Sequence, residues 1–291
     1  AFAAHLKKAF KKEDLTVSIG YDARLSSKKL FNALCYGLNY RGVKVIDIGL
    51  VATPVAYFSL FNLHVDGGIM ITASHNPPQY NGFKLSVGKN TIFGEEIQTI
   101  KEIMKSIDAI EIGKPEFSTY DIIKDYTTYM LNKFRQLKEL PNKPKVVLDA
   151  GNGTGGFIAY PILKELDFDV IGLFIEPDGT FPNHHPDPTV EENLKELKKT
   201  LKDNSFDIGI GFDGDADRIG VILKNEETMY GDQLLLLFAQ HILKEHKGAT
   251  IIGEVKCSQV LYDKIEQAGG KAIMWKAGHS LIKAKMKEEK A

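Results

Sequence analysis

Apolar residues recur along this chain in two rhythms. Short blocks rich in branched side chains have the length of strands: Leu15–Ile19, Val43–Ile48, Gly67–Ile71, Phe83–Val87, Val146–Leu148, Val170–Phe174, Phe206–Phe212 and Ile219–Leu223. Between them, apolar side chains fall at helical spacing over residues 27–40, 53–63, 118–140, 157–166 and 190–201. In the first of these, Leu30, Phe31, Leu34 and Leu38 share a face, with Ser26 or Ser27 as the expected cap and Arg41-Gly42 as the stop. Thr53-Pro54 reads as a cap followed by a first-turn proline. In 118–140 the expected core face is Tyr126, Tyr129, Met130 and Phe134. The alternation restarts after Gly231 with a helix to His246, strand Thr250–Val255, a helix over 259–268 and strand Lys271–Trp275. Strands and helices alternating at these lengths predict an α/β fold of successive similar domains, with mixed, mostly parallel sheets sandwiched by helices. The pattern breaks near residues 113–117, so the expected division is 1–116, 117–226 and a partial third unit over 227–291.

Composition narrows the class. The 291 residues are 43% hydrophobic and 26% charged, which suits a soluble globular chain. A formal net charge of -1 provides no overall field for nucleic acid or an anionic membrane surface. The longest apolar run, Leu234–Ala239, is far too short to span a bilayer. Cys35 and Cys257 are too few and too distant for a disulfide scaffold or a thiolate metal site. Together with the lack of a secretory signal, they set the expectation of a cytoplasmic location. No coiled-coil stripe or repeat fixes an oligomeric state.

The candidate chemistry sits at strand ends. Asp213-Gly214-Asp215-Ala216-Asp217-Arg218 lies between two apolar blocks. Like charges this close repel, and on extended backbone a spacing of two turns all three carboxylates to one side. They suit one hard cation, Mg2+ first and Mn2+ second; the bland reading is a solvated acidic turn. Thr72-Ala73-Ser74-His75-Asn76-Pro77-Pro78 follows the strand ending at Ile71 and offers a hydroxyl, an imidazole and an amide in succession. A Ser-His hydrolase is the weaker reading, because adjacent residues seldom align as nucleophile and base and no G-x-S-x-G elbow is present. Asp149-Ala150-Gly151-Asn152-Gly153-Thr154-Gly155-Gly156 lacks the Lys-Ser/Thr ending of a P-loop and reads as a tight strand-to-helix turn. His184-His185 has no further ligand at metal spacing and reads as structural or interdomain contacts. Lys256 and His279 stand at strand ends.

Taken in order, Thr72–Pro77, Gly151-Asn152-Gly153, Asp213–Arg218 and Gly278-His279-Ser280 resemble the alpha-D-phosphohexomutases, in particular the bacterial phosphomannomutase/phosphoglucomutase branch. The resemblance covers essentially the whole chain. It implies a hexose phosphate isomerase in which Ser74 carries a phosphoryl group. Asp213, Asp215 and Asp217 would hold one Mg2+ with an oxygen of that phosphoserine. Hexose 6-phosphate and hexose 1-phosphate of mannose or glucose would interconvert through a hexose 1,6-bisphosphate, glucose 1,6-bisphosphate being the activator. Lys256 and His279 match positions near the reacting hydroxyl, with base and acid unassigned between them. His75 and Arg218 would support the two loops, the alternative for His75 being a pure orienter, and Arg24 and Lys84 would add positive charge. The partners implied are small hexose phosphates, with no nucleic acid and no membrane. The resemblance also sets the expectation that the chain starts after an arginine-bearing motif and stops before the sugar-reading loop and a fourth, phosphate-clamping domain. Rival readings are a phosphoglucosamine mutase, a Mg2+-dependent phosphatase of haloacid-dehalogenase type and an inactive sugar-phosphate-binding fragment.

Overall fold

The strand-like blocks assemble into separate sheets in the computed structural model, which describes residues 1–108, 110–111 and 113–291. The first sheet is built from β1 (Leu15–Tyr21), β2 (Val43–Leu50), β3 (Gly67–Ile71), β4 (Phe83–Val87), β5 (Asn90–Thr91) and β6 (Ser118–Thr119), in the order β5-β4-β3-β1-β2-β6. β3, β1, β2 and β6 run parallel, whereas β4 and β5 turn back antiparallel. Helix α1 (Phe2–Phe10) precedes β1, and α2 (Ser27–Tyr40), α3 (Thr53–Asn62) and α4 (Glu95–Lys105) connect strands. β1 lies between two parallel neighbours, so both its faces are buried: Leu15, Val17 and Ile19 pack with Leu6, Phe31 and Cys35, while the Ser18 hydroxyl pairs with that of Ser59 at 2.8 Å.

α5 (Ile122–Phe134) leads to β7 (Val146–Asp149), α6 (Gly156–Glu165), β8 (Val170–Leu173), α7 (Lys195–Asp203), β9 (Ile208–Phe212) and β10 (Ile219–Leu223). These strands lie in the order β10-β9-β7-β8, with β7 parallel to β8 and β9, and β9 and β10 forming an antiparallel pair around the acidic turn. Ile122, fully buried, joins Ile48, Val51, Val55 and Met70 of the first sheet's layer to Ile158 and Ile162 of α6. Both sheets therefore belong to one compact unit, Ala1–Glu226. Glu227–Ala291 is a second unit. In it α8 (Gly231–Glu245), α9 (Gln259–Gln267) and α10 (His279–Glu289) accompany parallel strands Thr250–Glu254 and Lys271–Trp275, around a core of Ala239, Leu243, Ile251, Leu261 and Ile265. No helix among the described residues is long and apolar enough to cross a membrane.

Several local expectations are corrected. The helix expected from Ser118 begins only at Ile122, because Ser118 and Thr119 instead extend the first sheet beside Ile46 and Asp47. Asp121 is its cap, accepting the Lys124 N–H at 3.2 Å, and its end tightens into a 3-10 turn at Arg135–Glu139. Tyr126, Met130 and Phe134 pack inward as expected, but Tyr129 is 48% exposed. The helix expected from Val190 opens with a 3-10 turn, Glu191–Leu194, before α7. Ser26 stands at the cap position of α2 as expected but makes no side-chain capping bond, and the Ser27 hydroxyl donates to Asp22 at 2.7 Å. Thr53 is inside α3, with Ala52 as its cap residue, and its hydroxyl serves a different partner described below.

The turn after β7 explains its glycines. A Cβ on Gly153 would lie 2.7 Å from the Gly214 carbonyl oxygen and 2.9 Å from the Gly214 Cα, so the two loops touch backbone to backbone. Gly153→Ala should therefore destabilise the first unit by about 1–3 kcal/mol. In urea denaturation the midpoint should fall with the slope unchanged; an unmoved midpoint would contradict the contact.

Candidate functional site

The carboxyl end of β3 delivers Ser74 in a left-handed backbone conformation, φ 53°, with 9% of its surface exposed. A non-glycine residue held there costs about 1–3 kcal/mol, so the surroundings must enforce it. Its N–H donates to Thr72 Oγ1 at 2.8 Å. Beneath the loop lies Arg24, 2% exposed, whose Nε–H donates to Asp22 at 3.1 Å. Its Nη2 donates to the carbonyls of Ser74 (2.7 Å) and Asn76 (2.6 Å), and Nη1 to those of Pro77 (2.6 Å) and Tyr80 (3.1 Å). All the guanidinium N–H groups are thereby taken. Arg24 was expected to add positive charge for a phosphate; the structure makes it the frame of the Ser74 loop.

The acidic turn between β9 and β10 reaches the same place. Asp213 and Asp215 have no exposed surface, Asp217 is exposed, and one carboxylate oxygen from each lies within 4.8 Å of the others. The N–H groups of Asp217 and Arg218 both donate to Asp213 Oδ1 at 3.0 Å. Thr53, at the start of α3, donates its N–H to the Asp215 carbonyl at 2.9 Å and its hydroxyl to Asp215 Oδ2 at 2.5 Å. Lys84, from β4, sits 2.6 Å from both Asp215 Oδ2 and Asp217 Oδ2. Burial opposes charge on Asp215, yet the Lys84 ammonium and the Thr53 hydroxyl hold its pKa below the usual carboxylate value. No ammonium pairs with Asp213; burial, reinforced by the charge of Asp215, outweighs its hydrogen bonds and pushes it up to about 7.

The two loops meet at one contact. Ser74 Oγ donates to Asp213 Oδ2 at 2.5 Å. A Cβ on Gly214 would come within 2.6 Å of the Ser74 carbonyl oxygen, so only glycine admits this approach. His75 Nδ1 is 3.5 Å from Ser74 Oγ, at the outer limit of a hydrogen bond. Burial and then the positive charge of Arg218 lower the His75 pKa. Ser74, His75, Lys84 and the three aspartates thus converge, with Arg24 beneath them and Arg218 contributing charge from an exposed position. Lys256 and His279 belong to the second unit. Lys256 lines an open cavity of about 550 Å³ with Asp232, Glu254 and Cys257, and His279 opens α10 after Gly278.

The acidic site fits a hard cation. Three carboxylates converge, and the buried Asp215 Oδ1 has no hydrogen-bond partner among the described residues, a lone acceptor that a cation would satisfy. Sequence reasoning missed Thr53, which looked like a helix cap, and the contact of His185 Nε2 with the His75 carbonyl. A Thr-Pro start was a signal for the helix, but nothing local pointed the hydroxyl at an aspartate 162 positions away.

Comparison with known proteins places the chain in a family. Sequence profiles of phosphoglucomutase/phosphomannomutase alpha/beta/alpha domains I, II and III match residues 1–111, 124–227 and 230–291, respectively. A phosphomannomutase/phosphoglucomutase of Pseudomonas putida is 44% identical over 272 residues, covering 94% of this chain and 58% of that protein. A phosphoglucomutase of Neisseria meningitidis serogroup A is 41% identical over 282 residues, covering 97% of this chain and 60% of the relative. The crystal structure of a phosphoglucomutase/phosphomannomutase family protein from Burkholderia thailandensis superposes with a TM-score of 0.87 at 40% identity, over 99% of this chain and 64% of that one. The chain therefore spans about three fifths of the length of these relatives. With all three domain profiles matched in order, it belongs to the phosphoglucomutase/phosphomannomutase family.

Proposed function

We propose that this chain carries the phosphoryl-transfer centre of a hexose phosphate mutase acting on mannose and glucose phosphates. The observation that carries the reading is the Ser74 hydroxyl bonded to Asp213 beside two further aspartates. A serine whose hydroxyl is committed to an aspartate of the acidic turn, with His75 only at the outer limit of a hydrogen bond, is suited to storing a phosphoryl group rather than to attacking an ester. In the phosphorylated chain, the P–Oγ bond of Ser74 breaks as a hydroxyl of the hexose monophosphate bonds to phosphorus. The hydroxyl proton leaves to a base, and Lys256 and His279 are the groups proposed to hold and move it. The product, a hexose 1,6-bisphosphate, turns over and returns its other phosphoryl group to Ser74, releasing the isomeric monophosphate. Asp213, Asp215 and Asp217 would hold Mg2+, which when bound offsets charge on the transferring phosphoryl group.

The left-handed Ser74 backbone, fixed by Arg24 and Thr72, sets the hydroxyl in one direction before any phosphoryl group arrives. Lys84 has an electrostatic task in the cation-free chain. Its ammonium is the close positive charge on Asp215 and Asp217, and in return their carboxylates raise its pKa despite burial.

Three outcomes are expected. With a hexose 1,6-bisphosphate and Mg2+, the chain should gain one phosphoryl group that survives acid, and Ser74→Ala should gain none. An acid-labile phosphoryl group on Asp213 would instead indicate the phosphatase-like alternative. Mg2+ at a hundredfold excess over its Kd should stabilise the chain by about 2.7 kcal/mol, and Asp215→Asn should lose most of that gain in thermal melts. Lys84→Met should destabilise the cation-free chain by on the order of 3 kcal/mol, by leaving buried carboxylate charge uncompensated. Mg2+ should then stabilise this variant more than the unsubstituted chain; equal gains would refute the role given to Lys84.

A further inference from the structure

The loop over residues 177–188 presents two adjacent histidines that the phosphoryl chemistry leaves unused. His184 Nε2 lies 3.1 Å and 3.0 Å from the two carboxylate oxygens of Asp149, and its Nδ1 lies 3.0 Å from the His185 carbonyl oxygen. A carboxylate and a carbonyl only accept, and a neutral imidazole carries a single N–H. Both contacts are satisfied together only by an imidazolium.

The surroundings are built for that ion. Asp149 ends β7 with 2% of its surface exposed, and its Oδ1 also accepts the Gly151 N–H at 2.9 Å. The His184 ring stands edge-on to Phe174, with centroids 5.3 Å apart. Gly151, φ 50°, leaves room for the ring, since a Cβ there would lie 3.2 Å from His184 Cε1. Burial disfavours the charged ring, but the Asp149 carboxylate outweighs it and the His184 pKa is raised. Asp149 is the charged group facing the ring from β7, and the flanking Phe174 and Gly151 bring none.

His185 carries the arrangement to the Ser74 loop, because its Nε2 bonds to the His75 carbonyl. Arg24 takes the carbonyls of Ser74, Asn76 and Pro77 from the first sheet's side. The one carbonyl it leaves in that run is the one His185 takes.

We propose that His184 and His185 are positioning residues for the Ser74 loop: His184, clamped between Asp149 and the His185 carbonyl, fixes the backbone from which His185 pins the His75 carbonyl. That this pinning serves phosphoryl transfer rests on the mutase reading, whereas the pinning itself does not. Because the folded pKa of His184 is raised, its contribution to stability is whole below the ordinary histidine value, about 6.5, and is lost as pH rises through the raised value.

Backbone amide exchange over residues 73–76 tests the proposal on the chain carrying Ser74→Ala, which accepts no phosphoryl group, so failure of the mutase reading leaves the result standing. His185→Ala should exchange about fivefold faster, the loss of one hydrogen bond. His185→Gln, which keeps an N–H donor, should recover most of the protection. Protection should fall with rising pH, and Asp149→Asn should move that fall to lower pH. Nitrogen shifts of the His184 ring in the unsubstituted chain should show both nitrogens protonated at pH 7. A neutral His184 at pH 7, exchange unchanged in His185→Ala, or a pH course untouched by Asp149→Asn would overturn the proposal.

Discussion

Two carboxylates with no exposed surface, Asp213 and Asp215, lie on the same short turn, and much of the first unit compensates for them. Unpaired charge in such a place would not persist, because burial alone costs several kcal/mol per ion. The compensation comes from separate stretches of chain: Thr53 from the start of α3, Lys84 from β4, backbone N–H groups of the turn itself, and the Ser74 hydroxyl. The contacts of Thr53, Lys84 and Ser74 draw one sheet toward the other. The electrostatic problem posed by the aspartates thus also fixes the serine against them.

The Ser74 loop meets the same constraint from the other side. Its backbone holds an unfavourable φ, and its carbonyls are gathered by cationic or N–H donors from both sheets. A loop fixed by its backbone leaves its side chains available for chemistry. That division of labour explains why Arg24, which carries a charge suited to phosphate, spends it on the Asp22 carboxylate and on the carbonyl oxygens of the loop. The close approach of Gly153, Gly214 and the Ser74 carbonyl leaves no room for a side chain at either glycine.

Much of this was legible along the chain. Alternating apolar blocks gave the strands, since burial on both faces of a parallel sheet favours runs of mostly apolar residues, as in β1 and β7. The spacing of the three aspartates and the loop after Ile71 announced the site. What escaped depends on contacts distant in sequence. Ser118–Thr119 is a strand only because an edge of β2 is open to it, and two residues leave no periodic trace. Thr53 carries the residue type of a cap, and the competing pull of Asp215 cannot be read from its neighbours. His184-His185 was recognised as structural, but its direction, toward Asp149 and His75, emerges only when the two sheets are side by side.

The central claim is that a phosphoryl group on Ser74 and the three aspartates share one divalent cation. Anomalous diffraction from a crystal of the Ser74-phosphorylated chain grown with Mn2+ tests it most directly. A single Mn2+ peak in contact with oxygens of Asp213, Asp215, Asp217 and the phosphoserine is the predicted result. Manganese bound elsewhere, with the phosphoserine turned away from the aspartates, would contradict it.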